Sequence, residues 1–362
     1  MKSLSFLLLL LTSLFGNEKL FVVERENSSL AVIKNGMLND RIDNMHNMNH
    51  ATVKFEGVDG YAITRDGYVI KFDPEKNIKL AEYQVAHSSI GFVVEPHYVA
   101  VANYDTKTVE ILDRNLKPLQ TIQTDSKNVG IKTYKDKMIF ALMDKDELWV
   151  FQDTTHGKTI PSFSLTKKFE AVGEIPFDAM IKSNLYIVGF FNSPWIGVVN
   201  LDTMSYKKVP IHKEENKPVL KVPHFGFWSI GEHTIFIPSV GESAIMAFDN
   251  DFNFLSRIPT EGLPVFTSLS PDKKWLAVTF SGKDFPIVQI IDTKTFTIVK
   301  TLKFEGNVLH VRWSEVDPQL FVSVNTADEI QILDTLTWEK RGSVPVKRPS
   351  GIFLYQTSKE RK

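Results

Sequence analysis

A short apolar strand that ends in a polar residue recurs eight times along the chain, with 38 to 49 residues between neighbouring copies. The residues that end these strands are Asn35, Asp73, Asp113, Asp153, Asp202, Asp249, Asp292 and Asp334. A repeat of about 40 to 50 residues, made of strands and turns, is typical of a β-propeller with one blade per repeat. The sequence therefore predicts an all-β, eight-bladed β-propeller rather than two open sheets or a sandwich.

The two ends of the chain predict how the ring closes. "KLFVVER" and "LAVIKN", near the N-terminus, supply later strands of a blade but not its first, and "PSGIFLYQ" is an extra strand after the eighth repeat. We expect the C-terminal strand to complete the N-terminal blade, because this closure removes an exposed sheet edge. Residues 36–49 lack the repeat pattern, and we expect an irregular loop there.

The first residues have the pattern of a secretory signal. Lys2 precedes a short apolar run from Ser5 to Leu14, and Gly16 is a small residue at a plausible cleavage point. The run is too short for a comfortable membrane span, although an uncleaved anchor is the alternative. We expect residues 1–16 to be a signal peptide, and residues 17–362 to be one propeller domain in the periplasm with no stable membrane span.

Composition excludes several classes of function. The chain has 42 basic and 43 acidic residues, and this balance disfavours a nucleic-acid partner. It has no cysteine, so a covalent c-type haem and a thiolate metal site are both excluded. Its hydrophobic fraction of 43% is ample for a large buried core without disulfides.

A second repeat marks the start of each innermost strand, 23 to 27 residues before the strand-ending residue in seven of the repeats. The residues in this register are His50, Ile90, Gly130, Phe177, His224, Val265, His310 and Ser350. Because the innermost strands of a propeller surround one channel, we expect these side chains to converge at one mouth of it. Three of the nine histidines share this register, whereas an isolated histidine is more often a structural residue.

The stretch "NMHNMNH" places Met45, His46, Met48 and His50 close together, and all four can ligate iron or copper. Only His50 falls in the register of the inner strands. His46 lies with Met45 and Met48 in the loop just before it, where it either covers the channel or faces solvent. A compact three-histidine zinc site is disfavoured, because His50, His224 and His310 belong to blades spread around the ring.

The channel motifs combine histidines with flat apolar side chains and candidate carboxylate partners, Arg65 and Arg312. The aromatic residues in these motifs are Phe177, Phe225, Phe227, Trp228, Phe266, Trp313 and Phe353. This combination suits an iron tetrapyrrole with acidic side chains. The alternative for the aromatic residues is packing between blades.

A family resemblance rests on eight motifs, which follow one another in order over essentially the whole mature chain. They are "NHATVKF", "TRDGYVIKFD", "SIGFVVEPHYVAVANY", "PFDAMI", "PVLKVPHFGFW", "LPVF", "VLHVRW" and "RPSGIFLY". Together they resemble the NirF family of haem d1 biosynthesis proteins and, more widely, the d1-haem domain of cytochrome cd1 nitrite reductase, an eight-bladed propeller. The resemblance implies that the ligand is haem d1 or its dihydro precursor, and that the partners are other haem d1 assembly proteins and cd1 nitrite reductase.

The resemblance also implies roles for individual residues. His50 matches the axial ligand of the haem iron, and Arg65 matches a position near the propionates. Further residues expected to contact the tetrapyrrole are Ser89, Asn103, Tyr104, Phe177, Trp228 and Phe266. The candidates for moving protons are Asp178, His224 and His310. Asp178 has the alternative role of partner to a neighbouring backbone amide.

Two departures from the family pattern limit what the resemblance implies. "PFDAM" carries Phe177 and Asp178 where the reductase has a distal histidine, so we do not expect nitrite reduction. The segment between His50 and Arg65 is shorter than in typical members, which leaves the direction of the Arg65 side chain open.

The sequence leaves two main functions open. The chain either modifies a tetrapyrrole late in assembly, by side-chain chemistry or dehydrogenation, or carries the precursor to a dehydrogenase or to the reductase. Both functions need the same pocket. No G-x-G-x-x-G motif stands between a strand and a helix, so an electron acceptor would be another protein. A generic scaffold or a calcium lactonase is disfavoured, because the inner register offers mainly Asp178 as an oxygen ligand.

Overall fold

The structure is a computed structural model that describes residues 18–158, 160–211, 228–239 and 243–355. Its strands form eight four-stranded antiparallel sheets, and the innermost strands surround a central channel. This confirms the predicted eight-bladed propeller. The only helix in these ranges is a 3₁₀ turn at Asn325–Ala327. The predicted signal peptide and His224 lie outside the described residues.

The first four blades contain the strands nearest to the N-terminus. Blade one contains β1 (Lys19–Glu24), β2 (Ser29–Lys34), β3 (Met37–Ile42) and, innermost, β32 (Pro349–Tyr355). Blade two contains β4 (Thr52–Glu56), β5 (Asp59–Ile63), β6 (Tyr68–Asp73) and β7 (Ile78–Gln84). Blade three contains β8 (Ser89–Val94), β9 (Val99–Asn103), β10 (Thr108–Leu112) and β11 (Pro118–Gln123). Blade four contains β12 (Asn128–Tyr134), β13 (Lys137–Leu142), β14 (Glu147–Asp153) and β15 (Phe163–Phe169).

The other four blades follow in chain order, each from its inner to its outer strand. Blade five contains β16 (Pro176–Lys182), β17 (Leu185–Phe190), β18 (Trp195–Asn200) and β19 (Ser205–Pro210). Blade six contains β20 (Ser229–Ile230), β21 (Thr234–Ser239), β22 (Ala244–Asp249) and β23 (Phe254–Pro259). Blade seven contains β24 (Pro264–Leu269), β25 (Trp275–Phe280), β26 (Ile287–Asp292) and β27 (Thr297–Lys303). Blade eight contains β28 (Val308–Trp313), β29 (Gln319–Val324), β30 (Glu329–Asp334) and β31 (Lys340–Pro345).

The ring closes inside blade one, where the last strand pairs with the first. β32 is antiparallel to β1, and Tyr355 lies opposite Lys19. Glu24 on β1 is fully buried, and its carboxylate accepts hydrogen bonds from Arg41 Nε at 2.8 Å and from the backbone amide of Lys347 at 2.8 Å. The predicted closure is therefore confirmed, and a buried carboxylate joins β1, β3 and the segment that leads into β32.

The polar residue after the third strand of a blade orders the following turn. The Asp73 carboxylate accepts hydrogen bonds from the backbone amides of Glu75 and Lys76, at 2.9 and 3.0 Å. In blade five, β18 ends at Asn200, whose amide oxygen accepts the corresponding bonds from Asp202 and Thr203. The assignment of Asp202 as the strand-ending residue was therefore wrong, because the turn is set by the acceptor where the strand stops.

The expectation of an irregular loop at residues 36–49 was wrong over its first half. Met37–Ile42 forms β3, the outer strand of blade one. Within this strand only Ile42 is buried, so the sequence has no apolar alternation to mark it. The segment after Ile42 has no regular strand until β4 begins at Thr52.

Candidate functional site

The residues that begin the inner strands meet at one end of the channel. Five of the eight positions in the predicted register line a single cavity of about 280 Å³, close to the lower end of the range for small-molecule sites. These five are His50, Ile90, Val265, His310 and Ser350. The predicted convergence is confirmed for them. Gly130 and Phe177 do not line this cavity.

The inner strands share a local irregularity at this mouth. The pairing register shifts near the start of β8, β12, β16, β24, β28 and β32. A β-bulge bends a strand and redirects a side chain, and such bulges are common next to binding sites. The mouth is therefore formed by strand ends at which the side chains depart from the regular alternation between the two faces of the sheet.

Two methionines fix the loop that carries His50. Met45 and Met48 are fully buried in the apolar core that blades one and two share. The backbone amide of Ala51 donates to the carbonyl of Met48 at 3.2 Å, and His50 takes the left-handed conformation with φ of 57°. His50 is exposed and lines the cavity, so of the four metal-binding side chains in this stretch it is the one at the mouth.

His46 faces away from the cavity lining. Its ring stacks on Tyr68 with centroids 3.7 Å apart, and its Nε2 lies 2.9 Å from Glu82 Oε2. It therefore belongs to a surface cluster on blade two, and it does not cover the channel.

His310 is the second imidazole of the cavity. Its ring lies 5.8 Å from Phe266 and 6.1 Å from Phe353 between centroids, and both phenylalanines also line the cavity. Burial, and next the charge of Arg312, lowers the His310 pKa to about 4. His310 is therefore neutral near pH 7. Because Nδ1 accepts a hydrogen bond from the backbone amide of Ile352, the neutral ring carries its proton on Nε2.

Arg25 and Lys283 supply two cations that sequence reasoning missed. Both line the cavity. The Nε of Arg25 is buried and has no hydrogen-bond partner among the described residues, and burial, then the charge of Arg348, lowers the Arg25 pKa. Arg25 follows β1, and ring closure by β32 brings Ser350 beside it in the cavity lining. No local motif marks either cation.

The two arginines proposed from sequence lie elsewhere. The guanidinium of Arg65 donates to the hydroxyl of Ser88, and the backbone amide of Arg65 donates to Asn47 at 2.9 Å. Arg312 lines a different cavity, described below, and its Nη2 lies 3.5 Å from Glu315 Oε1. Neither arginine lines the cavity that holds His50.

Ser89, Asn103 and Tyr104 do not line the cavity either. The Ser89 hydroxyl donates to Asn103 Oδ1 at 2.8 Å, and the Asn103 amide donates to Thr108 at 3.1 Å. Ser89 and Asn103 are both buried, so this pair holds β8 against β9. Tyr104 packs beside the core that blades four, five and six share, with Lys127 Nζ 5.4 Å from its ring centroid.

Of the four aromatic residues proposed to contact the ligand, only Phe266 lines the cavity. Phe177 is buried in the core of blade five, with its ring centroid 4.9 Å from that of Phe191. Trp228 is buried in the same core. The alternative of packing between blades therefore describes Phe177 and Trp228. Phe353 lines the cavity with Phe266.

Asp178 lies on the inner strand β16 but does not line this cavity. Burial raises its pKa to about 7, and the charge of Lys132 and a hydrogen bond from the Ala179 amide oppose that shift. Its Oδ2 is buried and has no hydrogen-bond partner among the described residues. Burial lowers the Lys132 pKa, and Asp178 opposes that shift. The pair is a buried acid and amine, both displaced toward neutrality.

Two further features bear on the class of protein. The described residues contain no group of three or more histidine, aspartate or glutamate side chains placed to hold a bare metal ion. Over the same ranges, no helix has the length and hydropathy that a membrane span needs.

The fold and the matched sequence define the family. The family model of the cytochrome D1 heme domain matches residues 15–358, so the chain belongs to that family. It is 28% identical over 360 residues to the protein NirF of Pseudomonas aeruginosa, an alignment that covers 92% of this chain and 90% of the relative. It is 29% identical over 363 residues to the protein NirF of Stutzerimonas stutzeri, covering 94% and 92%. The resemblance drawn from the motifs is confirmed.

Solved structures share the fold. The dihydro-heme d1 dehydrogenase NirN in complex with DHE superposes with a TM-score of 0.79 at 20% identity, covering 93% of this chain and 75% of that chain. Apo AztD from Citrobacter koseri superposes with a TM-score of 0.68 at 14% identity, covering 93% and 97%.

Proposed function

We propose that this chain acts in haem d1 biosynthesis by binding an iron tetrapyrrole, haem d1 or its dihydro precursor, at the channel mouth. The observation that carries the proposal is one cavity lined by two imidazoles, two cations and three phenylalanines, in a member of the cytochrome D1 heme domain family. The names of the relatives support it, since two are NirF and a structural neighbour is a dihydro-heme d1 dehydrogenase with DHE bound.

The two histidines have different roles in this proposal. His50 lies exposed at the rim of the cavity, where its imidazole would hold the haem iron. His310 engages Nδ1 with the amide of Ile352, so it offers an N–H at Nε2 and serves as a hydrogen-bond donor rather than a metal ligand.

The other cavity residues match the remaining parts of a tetrapyrrole. Arg25 and Lys283 are placed to contact its carboxylates, since both are cations of the lining. Phe266 and Phe353 provide flat apolar surface for the macrocycle. The buried Arg25 Nε without a described partner is the polar atom that such a carboxylate would satisfy.

We further propose that the chain works in the periplasm, after removal of its leader, with other haem d1 assembly proteins and cd1 nitrite reductase as partners. The proposal is supported by the apolar N-terminal run and by the similarity to NirF. A dehydrogenase reaction would need a protein electron acceptor, because no nicotinamide motif is present.

Late modification of the bound tetrapyrrole and simple carriage differ in what they demand of the site. Modification needs a group that exchanges protons at the ligand. Asp178, whose pKa is raised to about 7, does not line the cavity. His310 does line it, but its pKa is lowered to about 4, so its imidazole stays neutral near pH 7. Among the described residues this arrangement favours a carrier that passes the precursor to an enzyme or to the reductase.

The test of binding is an anaerobic absorption titration with haem d1 and with its dihydro precursor. We expect a saturable axial-ligand shift with the wild-type protein and loss of that shift in His50→Ala. His46→Ala is the matched control, because His46 precedes the same loop but belongs to the surface cluster with Tyr68. An unchanged shift in His50→Ala would remove His50 as the ligand, and no shift with any protein would refute the binding proposal.

The second measurement separates carriage from modification. The spectrum of the stoichiometric complex with the dihydro precursor is followed over hours, with and without an artificial electron acceptor. A carrier gives one immediate shift and then a constant spectrum. A continuing conversion that requires the acceptor would show dehydrogenation instead.

A further inference from the structure

A second cavity lies at the opposite end of the channel. It has a volume of about 580 Å³, and its lining comes from the far ends of the inner strands. Lys54 and Phe55 on β4, Val94 on β8, and Arg312 on β28 take part in it. We call it the far chamber. Phe353 lines both cavities, so one aromatic side chain forms part of the wall between them.

Two cations line the far chamber, and each has N–H groups beyond those used in its described hydrogen bonds. Lys54 Nζ donates to the carbonyl of Phe92 at 2.7 Å, and an ammonium group has three donors. Arg312 Nη2 lies 3.5 Å from Glu315, and Arg312 Nε is buried without a hydrogen-bond partner among the described residues. A buried guanidinium nitrogen without a hydrogen-bond partner is a place where a bound ligand would supply the acceptor.

Other charged groups also act on the ammonium group of Lys54. Burial, and next the charge of Lys132, lowers the Lys54 pKa to about 7, while Glu95 acts in the opposite direction. Asp178 faces Lys132, and its own pKa is raised toward neutrality, so it supplies only part of a counter-charge. Glu315 is the acidic residue in the lining itself. An added anion would therefore stabilise the charged form of Lys54.

The remaining walls of the chamber are apolar. Phe55, Val94, Phe353 and Leu354 line it together with the two cations. An inorganic oxyanion would use the cations alone, whereas an organic acid would also bury its hydrocarbon against these walls.

We propose that the far chamber binds a small monocarboxylate with an apolar body, its carboxylate between Lys54 and Arg312. The site is separate from the tetrapyrrole mouth, since its lining shares only Phe353 with that cavity. It stands whether or not the tetrapyrrole proposal does, because it rests on no residue assigned to that ligand other than this shared wall.

The test is isothermal titration calorimetry of the ligand-free, full mature protein with hexanoate. Saturable binding at one site is expected, and Arg312→Gln and Lys54→Met should each weaken it about tenfold or more, the usual effect of losing a charge-assisted hydrogen bond. Glu315→Gln should tighten it, because that substitution removes the carboxylate that competes for Arg312. A general loss of fold would weaken hexanoate binding in all three variants, so it would not explain tighter binding in Glu315→Gln.

Three controls decide where and what the chamber binds. Lys283→Gln, at the tetrapyrrole mouth, should leave the hexanoate affinity unchanged. Hexanol lacks the carboxylate and sulfate lacks the apolar body, so each should bind at least about tenfold more weakly than hexanoate. No saturable hexanoate binding, loss of binding in Lys283→Gln, or sulfate binding as tight as hexanoate would each overturn the proposal.

Discussion

The Nδ1 atom of His310 accepts a hydrogen bond from the backbone amide of Ile352 at 3.3 Å. His310 belongs to blade eight, whereas Ile352 lies on the strand that closes the ring in blade one. The bond therefore joins two blades at the candidate binding site and fixes the tautomer of the imidazole. It also requires a neutral ring with its proton on Nε2, because a protonated Nδ1 would face another donor.

This relationship predicts a pH-dependent stability. The His310 pKa is lowered from 6.5 to about 4, so between these values the unfolded chain binds a proton that the folded chain does not. Stability should fall as the pH drops through this window, by up to about 3 kcal/mol if the whole shift is expressed. Urea unfolding at pH 7.0 and 5.0 measures this loss. His310→Phe should reduce the difference between the two pH values, and an equal difference in both proteins would contradict the prediction.

The buried methionines before His50 predict a contrast within one short stretch. Met45→Ala should lower the free energy of unfolding by about 2 to 5 kcal/mol, because it leaves a cavity in the core of blades one and two. His46→Ala should cost less than about 1 kcal/mol, since it removes a partly exposed ring stack and a surface hydrogen bond to Glu82. Chemical denaturation of both variants measures the difference. Equal losses would mean that the loop is not held by its methionines.

Arg25 and Lys283 predict the charge dependence of tetrapyrrole binding. Arg25→Gln and Lys283→Gln should each weaken binding about tenfold, and each should reduce its sensitivity to salt, because a cation that contacts a carboxylate is lost. Absorption titrations at two ionic strengths provide both quantities. Lys300→Gln is the matched control, since Lys300 is exposed on the outer strand of blade seven. An affinity equal to that of the control would exclude these residues as carboxylate partners.

Asp178 predicts an effect of opposite sign to that of His310. Its pKa is raised from 3.8 to about 7, so the folded chain favours the protonated acid, and the stability it contributes is lost as the pH rises through this range. Asp178→Asn should therefore gain stability relative to the wild-type protein between pH 5 and pH 8, by up to about 4 kcal/mol if the whole shift is expressed. Thermal and urea unfolding at both pH values test this. A variant less stable than the wild-type protein at pH 8 would show that Asp178 is ionised and paired with Lys132.

The architecture was predictable because its signals are local. Each blade marks its third strand with a residue such as Asp73, whose carboxylate caps the next turn within a few positions. The same locality explains the error in blade five, where Asn200 takes that role two residues before Asp202. β3 was missed because only Ile42 of this outer strand is buried, so no apolar alternation marks it.

The site was predictable only where it follows the repeat. His50 and His310 stand in the inner-strand register, so their convergence could be deduced from spacing. Arg25 could not be found this way, because it reaches the cavity only once β32 has closed the ring beside β1. Ser89 and Asn103 were expected to contact the ligand because they lie in a family motif. Their place in that motif does not reveal that their side chains hydrogen-bond to each other inside blade three.

The closure of blade one also fixes the side of the disc on which the first and last strands of the ring end. Lys19 and Tyr355, the first and last strand residues of the ring, lie opposite each other, and both are at the rim away from His50. The closing pair therefore ends on the side of the far chamber, whose lining includes Leu354, the residue before Tyr355.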